Sequence, residues 1–243
     1  MLIAREGWRE ILVATVLLGA LGALASLVSV YAIAPFGLIW IWAISFFRDP
    51  LRRRSFAPGD LCSAADGRVT EITEISHHDA IQQPAIRIGV FLSIFNVHIN
   101  RAPCSGRVRS IEYRPGEFLD ARHPESGRRN ESNTLLIDTD ASLPGPVEVR
   151  QVAGWVARRI VCNVHVNDRV AIGERFGLIK FGSRTELILP RLPGTEILVR
   201  VGDRVRAGLT IVARQPVVPA APQADETRGG AGAPKAEVME VRG

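Results

Sequence analysis

The chain has 243 residues, is 47% hydrophobic and only 6% aromatic, and carries a formal net charge of +5. Its 22 glycines and 15 prolines favour a turn-rich β domain over a helical bundle. The 3 cysteines are odd in number and widely spaced, which supports neither a disulfide framework nor a zinc site, so we expect no metal. The positive charge favours an anionic partner, but charge alone does not separate nucleic acid from an anionic lipid surface.

A stretch of 37 residues, from Ile11 to Phe47, contains no charged side chain. A single helix of this length would measure about 55 Å, whereas the hydrocarbon core of a bilayer is about 30 Å thick. Two passes over residues 11–30 and 31–47 fit better, with a break around Ser29 to Gly37, where Pro35 and Gly37 lie. The second pass is short, so the pattern leaves open whether it spans the membrane or enters and returns.

Arginines flank this uncharged stretch on both sides. They are Arg5 and Arg9 before it, and Arg48, Arg52, Arg53 and Arg54 after it. Because basic flanks stay on the cytoplasmic side, residues 1–55 are predicted to form a membrane-anchoring hairpin in the cell (inner) membrane, with the rest of the chain on the cytoplasmic side. A cleaved signal peptide ending near Ala25 is the alternative. Glu6, Glu10 and the continued apolar sequence argue against it.

Short apolar runs separated by Gly, Pro, Asn and Asp occupy residues 60–214. Their lengths and the turn residues between them favour strands over helices. The clearest runs are Arg68–Ile75, Ala85–Ile94, Arg107–Tyr113, Val147–Val152 and Thr185–Leu189. We therefore predict an α+β chain that is mostly antiparallel β, preceded by the hydrophobic helical hairpin.

Two short motifs recur within this β region. Asp66–Val69 is echoed by Ser105–Val108, and Asp168–Gly173 is echoed by Asp203–Gly208. The second pattern resembles the flattened β hammerheads of lipoyl and biotinyl carriers, so we predict hammerhead-like repeats. A carrier of that kind displays a lysine at a hairpin tip, and no lysine stands in such a turn here.

Beyond Arg214 the chain is rich in Pro, Ala and Gly and has no apolar periodicity. A segment of this composition buries too little apolar surface to offset the entropy of ordering it. Residues 215–243 are therefore predicted to be a disordered tail, which leaves residues 56–214 as the folded β-rich domain.

The segment Gly177–Pro190 places a Gly-Ser pair where apolar residues on both sides predict a strand running straight through. In isolation most such pairs are ordinary turns. In this setting glycine could allow a strained bond between Gly182 and Ser183, and the serine hydroxyl could attack the glycine carbonyl to give an ester. Elimination and hydrolysis would then cut the chain into 1–182 and 183–243 and leave a pyruvoyl group on the new N-terminus.

Four separated segments resemble, in the same order, the short form of the phosphatidylserine decarboxylase proenzyme family, whose members are pyruvoyl-dependent. The segments are Ala65–Val69 (ADGRV), Asn96–Pro103 (NVHINRAP), Glu112–Gly116 (EYRPG) and Phe181–Arg184 (FGSR). The similarity extends over residues 35–214, and the hydrophobic N-terminus fits the same family. No single segment is decisive, but their common order makes the resemblance specific.

The resemblance implies that Ser183 becomes the covalent cofactor, a pyruvoyl group that forms a Schiff base with the substrate. It also implies that Gly182 is the C-terminus of the larger fragment, that Asp66 assists self-cleavage and that His98 belongs to the reaction centre. Longer family members carry a second histidine three residues after the first, where this chain has Arg101. The base for self-cleavage therefore stays open between His98 and another group.

The implied reaction converts phosphatidyl-L-serine to phosphatidylethanolamine and CO₂, which makes residues 56–214 the catalytic domain of a lyase of lipid metabolism. Loss of CO₂ leaves a carbanion, and a ketone joined to the substrate amine is the electron sink. A histidine titrates in the range that the proton transfers need, and Arg101 and Arg184 are candidates to bind the lipid phosphate. The implied partners are membrane phosphatidylserine and the two fragments as a heterodimer, without nucleic acid; a higher oligomer stays open.

Two other functions fit parts of the sequence. A non-enzymatic membrane-anchored adaptor with hammerhead domains is one, but such adaptors insert a long helical hairpin, and no charged heptad stretch is present here. A pyruvoyl-dependent decarboxylase of a soluble amino acid is the other, and the hydrophobic N-terminus disfavours it. Among single residues, His165 competes with His98 because both lie in an Asn-Val-His motif.

Overall fold

The structure, a computed structural model, describes residues 2–123, 125–140, 143–155, 159–180 and 183–217. Antiparallel strands make up most of the regular structure, and the two long helices lie near the N-terminus. The predicted α+β class, mostly antiparallel β with an apolar helical N-terminus, is confirmed.

Two helices pack against each other as a hairpin. They are α1 (Trp8–Ser26) and α2 (Ala34–Phe46), and a 3₁₀ turn at Val30–Ile33 joins them. The indole Nε1 of Trp40 donates a hydrogen bond of 2.8 Å to the Thr15 hydroxyl across the hairpin. Outside this bond the facing surfaces are apolar, which suits helices whose surroundings are apolar as well.

The lengths of these helices bear on the membrane prediction. By length and composition Arg5–Ser26 could cross a membrane, and Val30–Phe46 is a shorter apolar stretch. Pro35 lies in the first turn of α2, where its missing N–H interrupts no helical hydrogen bond. The chain therefore reverses between Ser26 and Ala34, which overlaps the first part of the break expected over residues 29–37, while Pro35 and Gly37 lie inside α2.

Both ends of the hairpin meet at a short strand pair, β1 (Leu2–Ile3) with β2 (Arg48–Asp49). A 3₁₀ turn at Arg5–Gly7 leads from β1 into α1. Phe46 and Phe47, at the end of α2, are almost completely buried. The base of the hairpin is thus part of the folded protein as well as the start of an apolar extension.

The remaining strands are short and antiparallel, and a single helical turn, α3 (Ser126–Arg129), lies among them. In chain order they are β3 (Asp60–Cys62), β4 (Gly67–His78), β5 (Gln83–Leu92), β6 (Ile99–Arg101), β7 (Gly106–Arg114), β8 (Ser132–Thr139), β9 (Val147–Val152), β10 (Ile160–Cys162), β11 (Arg169–Val170), β12 (Arg175–Ile179), β13 (Ser183–Pro190), β14 (Glu196–Ile197), β15 (Arg204–Val205) and β16 (Ile211–Arg214).

An 8-stranded sheet in the order β11-β7-β8-β9-β13-β5-β4-β15 forms the framework, and two 3-stranded sheets, β10-β12-β6 and β14-β16-β3, accompany it. The main core takes side chains from all three, including Leu92, Leu187, Phe176 and Val212. The five apolar runs predicted as strands all form strands: β4, β5, β7, β9 and β13. The run that starts at Ala85 ends earlier than its apolar sequence, at Leu92, because Ser93 begins a turn.

The predicted repeats correspond to two equivalent strand pairs at the outer ends of the large sheet. β15 pairs with β4 through Arg204 and Arg68, and β11 pairs with β7 through Arg169 and Arg107. The backbone bonds repeat as well. Val69 N donates to Asp203 O and Val108 N donates to Asp168 O, both at 2.9 Å. Two copies of one supersecondary unit therefore close the sheet at its two edges.

Glycine is required at the same position of each copy. A Cβ on Gly67 would lie 2.0 Å from the carbonyl oxygen of Phe91, and one on Gly106 would lie 2.2 Å from that of Asp138. Contacts this short would force the neighbouring backbone apart. The shared glycine of the two DGRV-like motifs is therefore explained by strand packing.

Polar contacts tie the hairpin to the β domain. Lys180, directly after β12, donates to the Glu10 carboxylate at 2.5 Å and to the backbone oxygen of Glu6 at 3.0 Å. The Glu6 carboxylate also accepts hydrogen bonds from Arg175 and Asn163. Residues predicted to be anchor and residues predicted to be catalytic are thus joined through side chains.

The predicted tail lies mostly outside the described residues, which end at 217. Gln215, the first residue assigned to that tail, is buried, and its side-chain amide donates to the Pro190 carbonyl oxygen at 2.8 Å. Its backbone N–H donates to the Gly59 carbonyl oxygen at 2.9 Å. The packed chain therefore continues to this residue.

Candidate active site around Ser183 and His98

Ser183 begins β13, between β9 and β5 near the middle of the 8-stranded sheet. It pairs with Leu92 of β5, and 0% of its surface is exposed. Its Oγ has no hydrogen-bond partner among the described residues. A buried hydroxyl in this state is destabilising by about 1–3 kcal/mol, and such groups in native structures point to a chemical role.

Gly182 and Phe181, which precede Ser183, lie outside the described residues. The segment around them was predicted as one strand running straight through, and this prediction is wrong: β12 and β13 belong to different sheets. The chain passes from one sheet to the other between Lys180 and Ser183. Strand-like sequence on both sides of the pair cannot reveal this change, because sheet membership depends on contacts between distant parts of the chain.

His98 lies just before β6, with 2% of its surface exposed. Its Nδ1 is 2.9 Å from the Asn96 carbonyl oxygen. Because a carbonyl can only accept, Nδ1 is assigned the proton, and Nε2 then holds a free lone pair. Nε2 is buried, and the described residues offer it no partner. Burial, assisted by the charge of Arg48, lowers the pKa of His98 to about 4, so the ring is neutral at neutral pH.

One hydrogen bond shows how these two residues are oriented. The Asn100 side chain donates to the Thr185 hydroxyl at 3.1 Å, which links β6 to β13. His98 and Ser183 each lie two residues before one of these partners, and side chains two apart on a strand point to the same side. This contact therefore places the segments that carry His98 and Ser183 next to each other.

A buried amide network continues from this bond. Gln151 donates to the Asn100 side-chain oxygen at 2.9 Å, and Asn133 donates to the Gln151 side-chain oxygen at 3.0 Å. All these groups are buried. Sequence reasoning assigned them no role, although polar residues at alternating positions inside apolar strands were an available signal. The network holds β6, β13, β9 and β8 in one register behind the site.

Asp66 lies in the turn before β4, and both of its carboxylate oxygens are held. Arg52 donates to them at 2.5 and 2.8 Å, and the Ala207 backbone N–H donates at 2.8 Å. The register of β4, β5 and β13 places Asp66 and Ser183 at the same end of β5, two strands or about 10 Å apart. Arg52 was predicted as a membrane-flanking charge, but its side chain is only 6% exposed and belongs to this pair.

The two arginines predicted to bind substrate phosphate are engaged inside the protein. Arg101 donates to the Asp49 carboxylate at 2.8 Å and to the Gly173 carbonyl oxygen at 3.0 Å. Arg184 forms ion pairs with Glu71 and Glu186. By strand alternation it points to the side of β13 opposite Ser183. The structure therefore places Ser183 and His98 on neighbouring segments and Asp66 at the same end of β5 as Ser183, and it leaves both guanidinium groups bound to carboxylates.

The fold and this site define a β-sheet protein with a buried serine and a neutral buried histidine on facing strands, beneath an apolar helical hairpin. The chain belongs to the phosphatidylserine decarboxylase family, whose model matches residues 40–213. Members of this family are carboxy-lyases of phospholipid metabolism, so the chain is an enzyme of that class. This membership decides between an enzyme and a non-enzymatic adaptor in favour of the enzyme.

Individual relatives cover most of the chain. The phosphatidylserine decarboxylase proenzyme of Rhodopirellula baltica is 42% identical over 210 residues, which cover 86% of this chain and 87% of that protein. The proenzyme of Nitrosomonas europaea is 40% identical over 216 residues, covering 87% and 94%. That of Syntrophus aciditrophicus is 44% identical over 163 residues, covering 67% and 75%.

Proposed function

We propose that this chain cuts itself between Gly182 and Ser183, converts Ser183 into a pyruvoyl group, and decarboxylates phosphatidyl-L-serine to phosphatidylethanolamine and CO₂. One observation carries the proposal. Ser183 Oγ and His98 Nε2 are buried polar atoms without partners among the described residues, and they belong to neighbouring segments that the Asn100–Thr185 hydrogen bond connects. A nucleophile and a neutral base in this state are the pair that self-cleavage needs.

The maturation step follows from the chemistry of these two groups. The Ser183 hydroxyl attacks the Gly182 carbonyl carbon, and the lone pair on His98 Nε2 is the base that we assign to the hydroxyl proton. The acyl group moves from nitrogen to oxygen and gives an ester. Loss of the α-proton of residue 183 then expels the Gly182 carboxylate, and hydrolysis with release of ammonia leaves the ketone.

The surroundings of Ser183 fit a pyruvoyl group. The side-chain position is enclosed, so a reactive ketone there would be shielded from bulk water. Ser183 Oγ has no hydrogen bond to another described residue that would be lost when its chemistry changes. When present, the pyruvoyl ketone supplies the electron sink for the carbanion that remains after CO₂ leaves.

In turnover, His98 is the residue we assign to proton movement. Substrate amines are protonated at neutral pH and must lose a proton, and the carbanion must gain one. A histidine that is neutral at pH 7 can accept at Nε2 and return the proton from the same atom. The Asn96 carbonyl keeps Nδ1 protonated and so aims Nε2, not Nδ1, at the reaction.

The two fragments would stay together after cleavage. β13 begins the 183–243 fragment, and it pairs with β9 and β5 of the 1–182 fragment on both sides. All eight residues of β13 are buried. Separation would expose this strand and break two ladders, so the mature enzyme is a heterodimer of the fragments.

The hairpin would hold the enzyme at its substrate. Its apolar helices suit the bilayer, and its arginine flanks suit the cytoplasmic face of the cell membrane. Phosphatidylserine is delivered by lateral diffusion in that membrane and binds from the same side. This arrangement also disfavours a soluble amino acid as substrate, because no anchoring would be needed for one.

Intact mass measurement of the purified protein tests the proposal. The wild-type chain should give two fragments that meet at Gly182 and Ser183, the second carrying a pyruvoyl N-terminus, and should release CO₂ from phosphatidylserine. Ser183→Ala should stay uncut and inactive because it lacks the attacking oxygen. Ser110→Ala, at an exposed serine of β7, is the matched control and should cut normally. Cleavage of Ser183→Ala at the same bond would refute the proposal.

A further inference from the structure

A cavity of about 720 Å³ opens beside the candidate active site. This volume lies in the usual range of small-molecule sites. Ser93 and Asn96 line it, and the Asn96 carbonyl oxygen accepts the hydrogen bond from His98 Nδ1. Leu92, which pairs with Ser183, is the residue before Ser93. The lining therefore includes a residue that holds His98 and a residue next to the strand partner of Ser183.

Four arginines dominate the lining of this cavity. They are Arg48, Arg68, Arg204 and Arg206. In the described part of the chain none of the four forms an ion pair. Arg48 donates to the Phe95 carbonyl oxygen at 2.7 Å and Arg68 to the Gly202 carbonyl oxygen at 2.6 Å. The one carboxylate in the lining, Asp66, is already paired with Arg52. The cavity thus has a strong, uncompensated positive charge.

The repeat provides an internal comparison. Arg68 and Arg204 face each other in one copy of the unit, and Arg107 and Arg169 are their equivalents in the other. Arg107 makes the same kind of backbone bond as Arg68, to Asn167 O at 2.8 Å. In that copy, however, Asp140 neutralises Arg169 at 2.7 Å. The copy that lines the cavity has no such acid, so its positive charge is not a requirement of the repeat.

Both fragments contribute to the cavity, and it lies at the base of the hairpin. Arg48 follows α2 directly, and Phe95 in the lining is 69% exposed. An exposed aromatic side chain beside arginines at the end of apolar helices is typical of the depth at which lipid headgroups lie. The ligand expected at this depth is a membrane lipid, and not a soluble metabolite.

We propose that this arginine cavity binds the phosphodiester of the lipid substrate, with Arg68 and Arg204 as its principal ligands. The inference rests on the proposed function. The phosphate, and not the serine carboxylate, is the group expected there. The carboxylate leaves as neutral CO₂, so an arginine held against it would stabilise the substrate more than the transition state. The phosphate keeps its charge throughout, and guanidinium groups suit its oxygens.

The first experiment compares two charge-matched double variants. Arg68→Gln with Arg204→Gln alters the cavity, and Arg107→Gln with Arg169→Gln alters the equivalent positions of the other repeat. The cavity variant should raise the apparent KM for phosphatidylserine in mixed micelles by about tenfold or more, with kcat changed by less than about threefold. The control should stay within about twofold, and both should self-cleave like wild type. A cavity variant with the KM of the control would overturn the inference.

A binding experiment separates this inference from the proposed function. The full-length Ser183→Ala chain is titrated with glycerophospho-L-serine, L-serine and inorganic phosphate. Glycerophospho-L-serine should bind, and the cavity substitutions should weaken it by about tenfold or more. Binding unaffected by these substitutions, or matched by L-serine, would overturn the phosphate site. If inorganic phosphate bound as tightly as glycerophospho-L-serine, the cavity would be a site for free phosphate, and the lipid assignment would be overturned. Arginine-dependent binding by the Ser183→Ala chain, combined with a wild-type chain that releases no CO₂ from phosphatidylserine, would refute the proposed function alone.

Discussion

The ring of Phe46, the last residue of α2, lies against the ring of His98, with centroids 4.1 Å apart and planes inclined by 32°. Both residues are almost completely buried. The apolar hairpin is therefore joined to the candidate site, because its end helps to exclude water from the candidate base. This contact contributes to the burial of His98, and burial is the main cause of its low pKa.

Phe46→Ala should raise the pKa of His98. The low value, about 4, arises because burial disfavours the imidazolium ion, so readmitting water should move the pKa upward toward the ordinary 6.5. The measurement is an NMR titration of the His98 ring in the uncut Ser183→Ala chain. Tyr31→Ala removes an exposed aromatic ring elsewhere in the hairpin and serves as the control. An unchanged His98 pKa in Phe46→Ala would mean that this ring does not keep the site dry.

Much of the fold could be predicted because its signals are local. Alternation and turn residues predicted β4 and β7, and the uncharged stretch predicted the apolar helices. The repeats were also visible in the sequence, since each is fixed by a glycine that packs against a neighbouring strand. The change of sheet before Ser183 was not predicted, because the partners of each strand are set by contacts between distant parts of the chain and not by local sequence.

The candidate site was predicted less completely than the fold. Resemblance supplied Ser183, His98 and Asp66, but not their surroundings, because these depend on contacts between distant parts of the chain. Arg52 looked like a membrane-flanking charge, and only the folded chain brings it to Asp66. Gln151 reaches the site region through strand register, which composition and periodicity do not determine.

Arg52→Gln should slow self-cleavage. Arg52 is the charge partner of Asp66, and removal of one partner leaves a buried carboxylate uncompensated. We expect the 183–243 fragment to form at least about tenfold more slowly. A tenfold change corresponds to only part of the free-energy cost that is typical when one partner of a buried ion pair is removed. The fragment is quantified on denaturing gels during expression. Arg53→Gln, at an exposed neighbouring position, is the control, and equal rates in the two variants would contradict this role.

Glu148→Gln should stabilise the protein at alkaline pH. Glu148 lies on β9, and burial, with the charge of Glu186 acting in the same direction, raises its pKa to about 7 although Arg150 opposes the shift. Because the folded pKa exceeds the unfolded 4.5, this group's contribution to stability is greatest below pH 4.5 and declines as the pH rises to about 7. Because glutamine does not ionise, the substitution removes this pH-dependent loss of stability, which is on the order of 1–3 kcal/mol.

Thermal unfolding of the uncut Ser183→Ala chain in detergent measures the effect. Glu148→Gln should raise Tm by a few degrees, or about 2–6 °C, at pH 8 and much less at pH 5. Glu196→Gln, at an exposed glutamate of β14, should change Tm at neither pH. If Glu148→Gln raised Tm equally at both pH values, packing and not ionisation would be responsible for the change in Tm.

His98→Ala should separate maturation from turnover. The alanine removes the Nε2 lone pair, and Arg101 cannot replace it, because its guanidinium group is always protonated and is held by Asp49. We expect CO₂ release per 183–243 fragment to fall by about 10²–10⁴-fold, the loss typical of a missing general acid–base group. Self-cleavage should slow as well, unless another group takes the serine proton. Asp66→Ala should mainly slow cutting, and its cut fraction should turn over at a near-normal rate.

His165→Ala is the matched control for this experiment. Its side chain is 87% exposed and lies 3.5 Å from Asp168, in the repeat at the far edge of the large sheet. It should cut and turn over like wild type. Both variants are scored by the amount of the 183–243 fragment and by CO₂ released per pyruvoyl group. If His98→Ala released CO₂ at the wild-type rate per pyruvoyl group, His98 would be structural. The proton transfers would then have to be assigned to a residue other than His98 and Ser183.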